Sequence, residues 1–139
     1  MIPFCKTSIG AEEEKAVQDV IKSGWVVMGE KTQEFEDSFA KYVGSKYAVF
    51  VDSCTNALFL ALKYQNMMFG DRNHIHVPSF TFVATVEAIV NSGNTPVFTD
   101  VNRKTMVLEK TKDLRVSVPV YMAGRPTDIM CGVADSAHR

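Results

Sequence analysis

The chain has 139 residues, 46% hydrophobic and 22% charged, and its 15 Lys+Arg against 16 Asp+Glu give a net charge of −1. That length fits one domain with one core, and that balance excludes a disordered tail, a fibre, and a bulk attraction for nucleic acid or an anionic membrane. No apolar run nears the ~18 residues of a membrane span and no secretory signal is visible. Three widely spaced cysteines, Cys5, Cys54 and Cys131, fit a reducing, cytoplasmic setting and suggest neither a disulfide framework nor a zinc site.

Residues 11–23 predict a helix. Ala16, Val17, Val20 and Ile21 form one stripe, three glutamates open the segment and Gly24 closes it. Residues 31–43 repeat the pattern, with Phe35, Phe39 and Val43 on one side and Gly44 as the stop. The apolar run Tyr47 to Val51 then predicts a buried strand. A helix follows over 55–64, a strand over 75–77, a helix over 81–91 and a strand over 96–98. Two further strands are expected at 116–120 and 132–134. Strands alternating with helices imply a mainly parallel sheet covered by helices. The stretch between Val120 and Val133 is awkward. It leaves little room for a parallel crossover, and Gly124, Pro126 and Gly132 oppose a long helix.

Several strand-to-helix corners carry polar groups. Asp52-Ser53-Cys54-Thr55-Asn56 stands where an α/β sheet binds ligands, and helix N–H groups plus two hydroxyls suit a phosphate. A plain N-cap by Ser53 or Thr55 explains the same residues. No GxGxxG and no GxxxxGK[ST] is present, so dinucleotide and P-loop chemistry lose their main support. At the next corner, Phe80 and Phe82 offer an aromatic face for a flat cofactor, or simply join the core with Ser79 as the cap. Asp135 ends the last strand, where an acid can meet a ligand cation, and His138 follows it. His74 and His76 read as structural. Cys54 at a helix N-terminus is expected to have its thiol pKa lowered, but no catalytic partner for it is visible.

Seven segments in order resemble the DegT/DnrJ/EryC1/StrS family of pyridoxal-phosphate-dependent sugar aminotransferases. They are Ile2-Pro3-Phe4, Ser23-Gly24-Trp25 with Gly29 and Phe35-Glu36, Ser53 to Leu58, Val77 to Thr85, Thr95 to Val101, Pro119 to Gly124, and Asp135 to His138. The resemblance implies an α/β, three-layer, mainly parallel fold: the large domain of a type I aminotransferase, incomplete and spanning residues 1–139. Cys54 and Thr55 match a Gly-Thr pair that holds the cofactor phosphate, with Cys54 a departure from glycine. Phe82 matches the aromatic that stacks on the pyridine ring, Asp135 the acid on its nitrogen, and His138 the residue near its phenolic oxygen. Trp25 lies in the segment that approaches the sugar nucleotide.

The resemblance further implies an enzyme moving an amino group, typically from glutamate, onto a keto-sugar nucleotide in polysaccharide biosynthesis. The family's Schiff-base lysine and its smaller C-terminal domain lie beyond the Asp-x-x-His segment, so neither is expected in this chain. Lys104 and Lys110 sit in the wrong place to substitute. The family also has more residues between Val107 and Val116 and between Asp128 and Val133. Pyridoxal 5'-phosphate is then expected to be held non-covalently at most, and the chain alone to be inactive. A homodimer, or a complementing C-terminal polypeptide, is the expected partner. A non-catalytic binding or dimerisation module, and a non-functional remnant of a longer gene, are the alternatives.

Overall fold

The computed structural model describes residues 6–70, 74–108, 117–126 and 133–135. They belong to two compact units, Met1–Phe50 and Val51–Arg139.

The described residues of the first unit hold two helices. Helix α1 spans Ala11–Ser23 and α2 spans Glu30–Val43. At the start of α1, the Glu13 carboxylate accepts a hydrogen bond from the Gly10 N–H at 2.8 Å. This is the returning half of a capping box, and that bond holds the Glu13 carboxyl below its usual pKa. Both helices end on a glycine in the left-handed region, Gly24 at φ +73° and Gly44 at φ +72°. Phe35 stacks on Phe39 at 5.8 Å between ring centres and meets Phe50 edge-on at 5.7 Å. The α1 stripe does not reach a core: Val17 and Ile21 remain exposed.

The expected strand at 47–51 does not form. Its backbone groups are engaged elsewhere, since the Phe50 N–H donates to Glu36 Oε1 at 2.7 Å and the Tyr47 carbonyl accepts from the Ser45 hydroxyl at 2.8 Å. Tyr47 and Val49 are exposed. An apolar run supplies the side chains of a strand, but only a neighbouring ladder makes it one.

The second unit is the α/β part. Helix α3 runs Cys54–Phe69, strand β1 His74–Pro78, helix α4 Val83–Asn91 and strand β2 Thr95–Thr99. Strands β1 and β2 pair in parallel from His74↔Thr95 to Pro78↔Thr99. Parallel bridges His76↔Ser117 and Val120↔Asp135 continue the sheet beyond β1. The spatial order is therefore β2, β1, residues 117–120, residues 133–135. Between the last two lies a 3-10 turn, Met122–Gly124. Val116, Asp128 and Gly132 lie outside the described residues.

The core of this unit is Leu58 and Leu62 from α3, Ile75 and Val77 from β1, Ala88 and Ile89 from α4, and Val118 and Val133. The spacing explains it: Leu58 and Leu62 share a helix face, and Ile75 and Val77 share a sheet face. Each such side chain contributes about 1.5–3 kcal/mol by leaving water. His76 Nδ1 lies 2.8 Å from Thr99 Oγ1 across the β1–β2 pair. Phe80 and Phe82 do not join the core. Both are exposed, because they lie on the connection at the carboxyl end of β1, where the chain has left the sheet. Among the described residues no helix is long and apolar enough to cross a membrane.

Candidate functional site

The carboxyl end of the sheet and the N-terminus of α3 meet at a cavity of about 290 Å³, lined by Cys54, Thr55, Leu58, Phe82, Ala84, Thr85 and Asp135. That volume is near the lower end of the roughly 300–1,000 Å³ of small-ligand sites.

Each wall follows from local structure. Ser53 caps α3, its hydroxyl accepting from the Asn56 N–H at 3.2 Å. Asp52 Oδ1 accepts from the Asn56 side-chain amide at 2.8 Å, which braces the same turn. The cap thus belongs to Ser53, and the amides of Cys54 and Thr55 remain as helix-end donors without an intrahelical acceptor. A 16-residue helix adds the positive end of its dipole there, so the corner favours an anion. Phe82 precedes α4 and exposes 63% of its surface. It therefore contributes a largely exposed aromatic ring to the cavity wall.

Asp135 forms the inner wall and is only 3% exposed. Its backbone is fixed by two bonds, Asp135 N–H to the Pro119 carbonyl and Tyr121 N–H to the Asp135 carbonyl, both 2.9 Å. Its Oδ2 accepts from the Thr85 hydroxyl at 2.6 Å, and Thr85 in turn lies 2.8 Å from Thr81 Oγ1. Oδ1 lies 3.9 Å from Cys54 Sγ, a weak thiol donor. A buried carboxylate held by donors on a cavity wall suits a ligand cation, and the α3 corner suits a ligand anion. With an aromatic side chain lining the same cavity, the set fits a flat heteroaromatic ring that has a basic nitrogen and an anionic arm.

Sequence reasoning thus named four side chains that line one cavity: Cys54, Thr55, Phe82 and Asp135. Thr85, which also lines the cavity, and Thr81 behind it carry no signal of that role in the sequence. The expected direction for Cys54 is reversed. Partial burial pushes its thiol pKa up, and the adjacent Asp135 charge and hydrogen bond push it further. His138 lies outside the described residues. Trp25 belongs to the first unit, where it lines a separate cavity of about 660 Å³ with Val20, Val27 and Lys31 among others. Its indole N–H donates to the Met28 carbonyl at 3.2 Å. Among the described residues, no three His, Cys, Asp or Glu side chains gather as a metal site.

Comparison with known proteins gives the family. Residues 7–130 match the model of the DegT/DnrJ/EryC1/StrS aminotransferase family. The spore coat polysaccharide biosynthesis protein SpsC of Bacillus subtilis is 38% identical over 135 residues, covering 92% of this chain and 34% of that protein. The putative sugar aminotransferase Spr1654 from Streptococcus pneumoniae, solved in a pyridoxamine-phosphate (PMP) form, superposes with a TM-score of 0.80 at 31% identity, over 91% of this chain and 33% of that one. The E. coli GDP-4-keto-6-deoxy-D-mannose-3-dehydratase with bound hydrated pyridoxal phosphate (PLP) superposes with a TM-score of 0.80 at 27% identity, over 91% of this chain and 35% of that one. The chain spans about a third of the length of these relatives. It belongs to the DegT/DnrJ/EryC1/StrS aminotransferase family and has the parallel α/β architecture of its PLP-dependent members.

Proposed function

From membership of that family, we propose that this chain supplies the cofactor-holding face of a PLP-dependent enzyme acting on keto-sugar nucleotides in polysaccharide biosynthesis. The single observation that carries the reading is the shared cavity of Cys54, Thr55, Phe82 and Asp135. The α3 amides at Cys54 and Thr55, with the Thr55 hydroxyl, bind the phosphate. Phe82 covers one face of the pyridine ring and excludes water from it. Asp135 accepts from the ring nitrogen and holds a proton there. When bound, the cofactor supplies an electron sink that lets an amino group pass from glutamate to the sugar carbon. From the family resemblance alone, Trp25 is assigned to sugar-nucleotide recognition and His138 to the cofactor's phenolic oxygen. A homodimer in the cytoplasm is the assembly that fits the family.

The contacts named are all non-covalent, and no lysine is among the cavity's described lining residues. The test is to titrate the purified chain with PLP, reduce with borohydride and map the adducts. Saturable binding that Asp135→Ala weakens, with only scattered lysine labelling, is the expected result. One stoichiometric lysine adduct would overturn the non-covalent reading, and an Asp135→Ala variant with unchanged affinity would remove Asp135 from the site.

The dehydratase among the solved relatives favours a second reaction class for the same face, loss of a sugar hydroxyl. Product analysis with a complemented enzyme separates the two: an amino sugar in one case, a deoxy sugar in the other.

A further inference from the structure

Thr85 makes a contact that its place in the helix does not require. It lies in the first turn of α4 and is 1% exposed. A buried hydroxyl costs stability unless it is bonded, and in a helix it commonly turns to a carbonyl one turn back. Thr85 instead sends its hydroxyl out of the helix to Asp135 Oδ2, at 2.6 Å. That length lies within the about 2.5–2.7 Å of O–H bonds to a charged oxygen.

Thr81 stands 2.8 Å behind it. A hydroxyl has one proton, and a carboxylate accepts only. The Thr85 proton therefore goes to Asp135, and Thr81 must donate to Thr85. The chain has one direction, Thr81 to Thr85 to Asp135, so its dipoles align and strengthen one another. The two oxygens have different neighbours. Oδ2 is held by Thr85, while Oδ1 lies beside Cys54, and all three residues line the cavity.

We propose that Thr85, backed by Thr81, is a positioning residue that orients the Asp135 carboxylate so that Oδ1 meets the cationic ring nitrogen of a pyridine cofactor. The proposal rests on the reading of Asp135 as the partner of that nitrogen. Thr85 acts through Asp135.

The experiment uses the full chain and pyridoxamine phosphate, which has no aldehyde to react with surface lysines. Absorbance reads both its affinity and the pH midpoint at which the bound ring nitrogen loses its proton. Thr85→Val keeps the shape and removes the donor. It is expected to weaken binding about tenfold, as for loss of a hydrogen bond to a charged group, and to move the midpoint to lower pH. Thr85→Ser keeps the donor and should restore both values to within about twofold. Circular dichroism confirms that each variant is folded.

If Thr85→Val is folded and binds with unchanged affinity and midpoint, while Asp135→Ala loses binding, the relay is wrong and the Asp135 reading stands. If Asp135→Ala also binds like the parent, or the parent does not bind, both fall. If Thr85→Val does not fold, Thr81→Val decides: a lowered midpoint supports the relay and an unmoved one overturns it.

Discussion

Cys54 Sγ lies 3.9 Å from Asp135 Oδ1, although the two residues are 81 positions apart in the chain. The contact joins the start of α3 to the bridge residue Asp135, and it adds to the effect of burial on the thiol. Burial disfavours the thiolate, and a carboxylate beside it disfavours the thiolate further.

Alkylation of Cys54 is therefore expected to lag behind that of an unstructured cysteine near pH 8, because the thiolate is the nucleophile and its fraction is lowered. Asp135→Asn removes the charge and should speed the reaction at that pH. Peptide mapping separates Cys54 from Cys5 and Cys131, and an unchanged rate in Asp135→Asn would refute the coupling. The linked stability follows in sign. A pKa raised in the folded state gives a contribution present below the unfolded thiol pKa and lost as pH rises through the folded one.

Phe82 separates binding from stability. Its ring is mostly exposed, so Phe82→Ala should change the unfolding free energy by less than about 0.5 kcal/mol, as at an ordinary surface site. Cofactor affinity should nevertheless fall, because the ring lines the cavity. A variant that unfolds easily, or one that binds unchanged, would contradict the placement.

Ile89 tests the core. It is fully buried between α3 and the sheet residues, and Ile89→Ala removes three carbons that nothing nearby is free to replace. A loss of about 2–5 kcal/mol in urea unfolding is expected. A loss below about 1 kcal/mol would mean that the packing around α4 is loose enough to fill the space.

Gly29 tests the first unit. A Cβ there would collide with the Trp25 indole, so Gly29→Ala must move the ring and break its bond to the Met28 carbonyl. Trp25 is the single tryptophan of the chain, so its fluorescence maximum reports the change directly. An emission spectrum identical to the parent's would show that the indole had not moved.

The elements legible in the sequence were those specified locally. Gly24 and Gly44 marked the ends of α1 and α2 because the backbone there needs φ > 0. Strands β1 and β2 were legible because short apolar runs were bounded by turn residues. The run at Tyr47 to Val51 carried the same signal and forms no strand, since Glu36 takes the Phe50 N–H. Phe80 and Phe82 looked like core residues because an aromatic run does not reveal which side faces water. The cavity itself was reached through ordered motifs, which place Cys54, Thr55, Phe82 and Asp135 at strand and helix ends. Thr85 and Thr81 were not read, because their meaning depends on Asp135, 50 positions beyond Thr85.

That separation also sets an order of events during synthesis. At roughly 5–20 residues per second, Asp135 leaves the ribosome's catalytic centre some 3–10 s after Thr85. Once Thr99 has been added, α3, β1, α4 and β2 have all been translated, while the Asp135 partner of the Thr85 hydroxyl is still to come. The wall of the cavity is therefore incomplete until Asp135 is made, and a nascent chain stalled in this window would carry the helix-end anion corner without its acid.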